Sequence, residues 1–355
     1  MRKISAISDV IRKHFLWALM IAYLLAAVLP QLGNASKEVV VATVAIGTTS
    51  WPMTLFTALL AMLLFGAGLG TEATELISVF RRPGIVCAGL AANVIAPLCF
   101  LGMIAQGASF WHNNDEIQNL LLGLAIVASM PIAGSSTAWA HNSGGHMGLS
   151  IGLVLLSTLI SPIVTPFTLW IVESMTTGQY SETLQKLSGV KTSIFIAASV
   201  AIPSFFGIFI RMLVGSKRVL RIMPVVKLVN SVTLLYLCYG NACSALPAII
   251  KQPDWDFLLM MVISVLGLSA TAFASGWLLA RVLNVNTAEG RSLIFGLGMS
   301  NNGTGLVLAS STLNTMPWAI LPILVYNLIQ HLLAGLIVLD PKPLRLHSTQ
   351  TQHQK

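Results

Sequence analysis

From its amino end the chain alternates long apolar runs with short polar joints, and run length is the first structural signal. Crossing a bilayer as an α-helix takes about 20 largely apolar residues. Ten segments meet that requirement, near residues 15–32, 53–70, 84–106, 118–143, 148–172, 192–214, 224–250, 257–283, 290–312 and 317–339. Val39 to Trp51 is apolar as well but short for a crossing; it is read as a connection, with an interfacial or re-entrant piece as the alternative. Two of the ten segments are broken in the middle. In the ninth, Gly296 to Gly305 (GLGMSNNGTG) sets four glycines and Ser300-Asn301-Asn302 between apolar flanks. In the fourth, Ser129 to Thr137 (SMPIAGSST) contains Pro131, which lacks a backbone donor, and Gly134. Lipid satisfies no backbone or side-chain hydrogen bond, so such breaks persist only where they line a cavity.

The ten segments divide at the polar link 176–191 into two sets of five. Each set carries its break in its fourth member and two prolines in its fifth, Pro162 and Pro166 against Pro317 and Pro322. Because five is odd, the second set enters the membrane from the opposite side. The predicted fold is an all-α integral membrane protein of ten transmembrane helices. Residues 1–175 form one inverted repeat, 192–340 the other, and 341–355 a polar, disordered cytoplasmic tail. Paired interruptions in corresponding helices of two repeats point to the binding site of a secondary transporter.

Composition agrees with the pattern. Hydrophobic residues make up 55% of the 355 and charged ones only 9%, with mean hydropathy +0.81, against about a quarter charged in soluble domains. The net charge of +8 is no nucleic-acid signature, because the cations sit in short joints and follow topology. With both termini cytoplasmic, Arg2, Lys3, Arg12, Lys13, Arg81, Arg82, Arg211, Lys217, Arg218, Arg221, Lys227, Arg281, Arg291, Lys342, Arg345 and Lys355 fall inside; Lys37, Lys186, Lys191 and Lys251 fall outside, 16 against 4. The expected location is the plasma membrane, in bacteria the inner one. Phe15 to Pro30, preceded by Arg12-Lys13-His14, reads as an uncleaved first helix rather than a signal peptide, since many spans follow. Cys87, Cys99, Cys238 and Cys243 lie within apolar spans and read as packing residues.

The candidate chemistry is made of neutral oxygens. No Asp or Glu lies within a span, Glu173 standing at the edge of one, whereas ion pathways through membranes commonly use an intramembrane carboxylate. What remains is Ser129, Ser135, Ser136, Thr137, Asn301, Asn302 and Thr304, with Ser300 and the carbonyls freed at the breaks. Sodium takes such oxygens, and half-helix amino ends favour an anionic group. Small polar residues also simply pack helices together; the amide and hydroxyl cluster at 301–304 between glycines stands out from that background. Asn93 ahead of Pro97 either reaches the same site or makes an interhelical bond. Asn327, Gln330 and His331 on the last span either line a cavity or hold helices together. His141 and His146 are five apart, which does not fit a helical zinc pair.

These stretches resemble the bile acid:sodium symporter family over nearly the whole chain. The likeness rests on LLFGAGLG at 63–70 followed by Arg82-Pro83, on Pro131 to Ser161 ending in LSIGLVLLSTLISP, and on GMSNNGTG at 298–305. It implies a core domain from spans 3–5 and 8–10, containing two broken, crossing helices, and a panel domain from spans 1–2 and 6–7. It implies sodium contacts at Ser136, Thr137, Ser150, Met299, Ser300 and Asn93. Where the family has an acidic residue shared by both sodium sites this chain has Gly296, and Val154 stands where the family has a Thr. Substrate contacts are expected at Ser135, Thr137, Asn301, Asn302, Thr304 and Asn327.

The function read from the sequence is secondary active transport, a sodium-dependent symport of an organic anion, bile-acid-like or a small carboxylate, by alternating access. The alternative is a sodium-independent facilitator or a proton-linked transporter. Metalloid efflux, which in relatives of this fold uses a Cys in the fourth span, finds none here. A channel or receptor on the same fold is a further alternative. An intramembrane enzyme would need HExxH, a GxSxG serine on a strand-to-helix turn, or a buried carboxylate pair; there is no HExxH and no carboxylate within a span, and the one GxSxG string, at 148–152, lies in an apolar span. Expected partners are a small organic anion and the bilayer, with no nucleic acid, no obligate protein partner, no cofactor, and no metal besides a possible sodium ion.

Overall fold

The computed structural model describes residues 14–46, 49–72, 82–313 and 315–339. The tail 341–355 and the cations Arg2, Lys3, Arg12, Lys13, Arg81, Lys342, Arg345 and Lys355 lie outside the described residues. Helix α1 (Phe15–Val28) turns by 92° into α2 (Pro30–Lys37). An antiparallel hairpin follows, β1 (Val40–Ile46) with β2 (Thr49–Thr54), then α3 (Leu55–Leu69), capped by the Thr54 hydroxyl. Next come α4 (Pro83–Gly107), the interrupted pair α5 (Asn114–Ser129) and α6 (Ser135–Asn142), and α7 (Met147–Glu173). A short α8 (Gly178–Leu187) leads to α9 (Val190–Val214), α10 (Ser216–Lys251) and α11 (Trp255–Val282). The second interrupted pair, α12 (Thr287–Gly298) and α13 (Asn302–Thr312), precedes α14 (Pro317–Leu339).

Six of these helices, α4, α7, α9, α10, α11 and α14, are long and apolar enough to cross a bilayer unbroken; counting the bent α1–α2 pair as one span raises the number to seven. The other predicted spans are the shorter α3 and the two interrupted pairs. The protein is therefore an all-α, multi-pass membrane protein with one small hairpin.

Four local expectations need correction. The first span stops at Val28, not 32, because Leu29 precedes Pro30 and leaves the helical region (φ −124°, ψ 59°). The apolar connection at 39–51 is mostly hairpin, its Val- and Thr-rich run suiting a pleated backbone better than a helix. The polar link holds α8, whose Tyr180, Leu184 and Leu187 recur at helical spacing, are buried, and pack on α7 and α5. Helix α10 starts at Ser216, ahead of the expected 224, carrying Pro224 inside it.

Packing falls into two groups. Helix α1 packs on α10 and α3 on α9, with α3 also against α10. The α3–α9 contact is close: a Cβ on Gly68 would stand 2.0 Å from the Ser204 carbonyl, and one on Gly207 2.2 Å from that of Phe65. Beside it the buried Arg211 donates to Leu69 O (2.9 Å) and to Glu72 Oε1 (2.6 Å), closing the carboxyl end of α3. In the second group α4, α5, α6 and α7 pack among themselves, as do α11, α12, α13 and α14, and the two quartets join through α5–α14, α7–α12 and α4–α11. Helix α5 is buried on nearly every face, so its break lies deep in the protein.

Candidate functional site: two paired helix breaks

The interruptions at 130–134 and 299–301 meet each other. Ile132 and Ser300 form an antiparallel bridge; Ala133 N–H donates to Met299 O (2.9 Å) and Asn301 N–H to Pro131 O (2.8 Å). Each break thus satisfies backbone groups that the other exposes, which unwound chain at membrane depth requires. Neighbouring unbroken helices meet three more of the freed groups. On α7, Ser157 Oγ accepts from Ile132 N–H (3.1 Å) and Thr165 Oγ1 donates to Ser129 O (2.6 Å). On α14, Gln330 Oε1 accepts from Ser300 N–H (3.0 Å). Sequence reading did not single out Ser157 and Thr165, and left Gln330 open between lining and bonding. A small polar residue on a transmembrane helix carries no mark of which backbone group it faces.

Beside these backbone bonds, several side chains are left without one. Ser136 Oγ, Ser150 Oγ, Thr304 Oγ1 and both polar atoms of Asn302 are buried without a hydrogen-bond partner in the protein. Their residues are at most 2% exposed. All four were predicted site residues. Ser136 lies in the first turn of α6, and Asn302 and Thr304 in the first turn of α13, each directly after a break. Ser150 is in the first turns of α7, and α6, α7 and α12 pack pairwise.

The other predicted residues divide. Ser135 and Thr137 flank Ser136 with less burial, Thr137 Oγ1 donating to Gly134 O (2.7 Å). Met299 is fully buried and Ser300 nearly so within the second break. The side chain of Asn301 is partly committed to structure, since its Oδ1 caps α13 through Thr304 N–H (3.3 Å), which leaves its amide nitrogen for other contacts. Asn93 faces the first break across a crevice of ≈ 10 Å³ shared with Ser129 and Pro131, enough for about one water. Asn327 stands off the breaks. Its amide donates to Cys238 Sγ on α10 (3.3 Å), and Gln330 links it to Ser300. His331, also buried, packs beside Phe15 and Trp139. Gly296 faces α7, where an added Cβ would meet only the Leu153 Cδ1 tip, at 3.2 Å.

A larger cavity of ≈ 670 Å³ lies elsewhere, at the amino ends of α5 and α11, with Asp115, Glu116, Asp254 and Asp256 on its walls. A hydrogen bond between the carboxyls of Asp254 and Asp256 raises the pKa of Asp254. Helix α5 separates this acidic mouth from the breaks by about 20 Å, at 1.5 Å per residue.

The two paired breaks, with unpartnered neutral oxygens on Ser136, Asn302 and Thr304 in the helix turns that follow them, are the candidate site. A model of the Sodium Bile acid symporter family matches residues 57–252, more than half of the chain. The chain belongs to that family. The match takes in the first break and ends before the second. Among relatives, the chain is 24% identical over 278 residues to the "Uncharacterized sodium-dependent transporter YocS" of Bacillus subtilis (strain 168), covering 76% of this chain and 79% of that one. It is 26% identical over 216 residues to the "Uncharacterized protein YbaS" of the same organism, 61% and 67% of the two chains. It is also 26% identical over 218 residues to the "Probable sodium/metabolite cotransporter BASS1, chloroplastic" of Oryza sativa subsp. japonica, 60% of this chain and 50% of the relative. Membership of a symporter family identifies a membrane transport protein and not an enzyme.

Proposed function

We propose that this protein is a sodium-coupled symporter of an organic anion, bile-acid-like or a small carboxylate, working by alternating access with both termini on the cytoplasmic side of a bacterial plasma membrane. The observation that carries the reading is the pairing of the two breaks, with buried, unpartnered Ser136, Asn302 and Thr304 in the helix turns that follow them and Ser150 about two turns along α7 from Ser157. Hydroxyl and amide oxygens suit a hard monovalent cation such as sodium, while Asn302 Nδ2 and the amino ends of α6 and α13 suit an anion. The names of two relatives supply the sodium ion.

The packing also supports ten spans in two inverted repeats. If α1 corresponds to α9, α3 to α10, α4 to α11, α5–α6 to α12–α13, and α7 to α14, the contacts exchange among themselves. The pair α1–α10 becomes α9–α3, α5–α14 becomes α12–α7, and α4–α7 becomes α11–α14, each of which packs. Helices α1, α3, α9 and α10 would be the panel and the rest the core, rocking against each other about the breaks.

Reconstituted vesicles test the reading. An inward sodium gradient should drive transient accumulation of cholate, pyruvate or lactate above equilibrium, and an equal potassium gradient should not. Equal uptake in both salts would make the protein a facilitator of the same anion.

A further inference from the structure

We infer that the cation and the anionic group of the substrate occupy the site as a contact pair, the substrate's carboxylate acting as the counter-charge that the protein itself does not provide. The inference rests on the symport reading above and concerns how its two ligands depend on each other.

Among the described residues, the buried charged side chains are Glu116, Arg211 and Glu289, each in the first or last turn of its helix, and the half-buried Arg291, about 12 Å along α12 from the break, is turned to Ser143 O. Glu289 is bound by Arg82 (2.8 and 3.0 Å) and by its own capping box, about 15 Å along α12 from the break. Arg211 is committed to Leu69 and Glu72. The breaks therefore offer both coordination chemistries and neither sign of charge. Ser136, Ser150, Thr304 and Asn302 supply oxygens for a cation; Asn302 Nδ2 and the helix amino ends supply donors for an anion. A lone ion of either sign brought there loses its hydration against dipoles only, whereas an adjacent opposite charge recovers much of that loss. Each ligand therefore binds weakly alone, and by linkage each strengthens the other by the same factor, of a size typical for such coupling, about 5- to 150-fold.

The geometry around Gly296 supplies a way to invert this dependence. An added Cβ there would touch nothing but the end of the Leu153 side chain, one turn along α7 from Ser150 with its unpartnered hydroxyl. A Glu at 296 is clear at its Cβ once that flexible tip rotates, and it puts a fixed carboxylate on the face of α12 that packs on α7. Gly296→Gln is the uncharged control of the same size.

The test is thermal unfolding of the purified full chain in sodium or potassium chloride at equal ionic strength, alone and with cholate below its micellar concentration, pyruvate or lactate. In the wild type, sodium alone is expected to give no specific shift and sodium with the recognised anion a clear one. In Gly296→Glu sodium alone should stabilise, and in Gly296→Gln it should not. A full sodium shift in the wild type without anion overturns the inference and leaves symport standing. Gly296→Glu behaving as Gly296→Gln overturns it as well. If Gly296→Glu fails to fold, the wild-type comparison decides. An anion that stabilises equally in both salts removes the symport reading itself. A second readout is independent of stability: a one-to-one contact pair with a monocarboxylate is neutral, so an imposed potassium diffusion potential should leave the initial uptake rate unchanged. A strong dependence on that potential overturns the pairing.

Discussion

A buried hydroxyl without a partner carries a desolvation penalty of about 1–3 kcal/mol, and Ser136, Ser150 and Thr304 each hold one. A residue retained for packing alone would gain from losing it. Thr304→Val keeps the shape at a fully buried position, so it is expected to raise the melting point, by about 1 kcal/mol in stability, while sharply lowering uptake. A variant that unfolds earlier, or transports normally, would assign the hydroxyl to structure. Asn301 needs a different substitution, because its side chain caps α13. Asn301→Ala removes the cap, a loss of about 0.5–2 kcal/mol, along with any substrate contact, whereas Asn301→Ser keeps a capping oxygen. Transport lost in the Ser variant with the melting point held reports the amide nitrogen alone. These residues were legible in the sequence because two amides and a threonine among glycines are conspicuous in an apolar segment. Gly296 was legible only through family resemblance; its open side toward Leu153 is a product of packing.

The broken helices are understood as a pair or not at all. Neither break satisfies all of its own backbone; the bridge at Ile132 and Ser300, with Ser157, Thr165 and Gln330 from the adjoining helices, meets groups that each leaves open. Gln330→Leu should strand the Ser300 N–H in a site where water is excluded, destabilising the protein by about 1–3 kcal/mol and lowering uptake together with stability, which thermal unfolding and vesicle transport would show. An unchanged melting point would mean that another group takes over the bond. The composition of the breaks announced that two helices are interrupted. It did not say that they pair, since hydrogen bonds between residues some 170 positions apart leave no local pattern. The same limit explains the hairpin at 40–54 and the buried face of α8: short apolar or polar runs are ambiguous until a neighbour takes up one side.

Across the whole molecule the close approach of α3 and α9 is set by Gly68 and Gly207 facing backbone, where no side chain has room. Gly207→Val should separate these helices and destabilise the fold by about 1–3 kcal/mol, as overpacking does; a melting point equal to wild type would show the contact to be looser than its geometry. The exchange of helix contacts that the proposed inverted repeat rests on is a property of this scale alone. The amino-acid sequence by itself determined the membrane class, the positions of most helices, and the location of both interruptions. Hydropathy, proline and glycine act through the local backbone, and a bilayer leaves an apolar segment little besides a helix. The tertiary structure decided which freed backbone groups satisfy each other, which polar side chains are used up in doing so, and which are left buried without a partner. That division depends on distances between residues remote in the chain, and only folding brings them together.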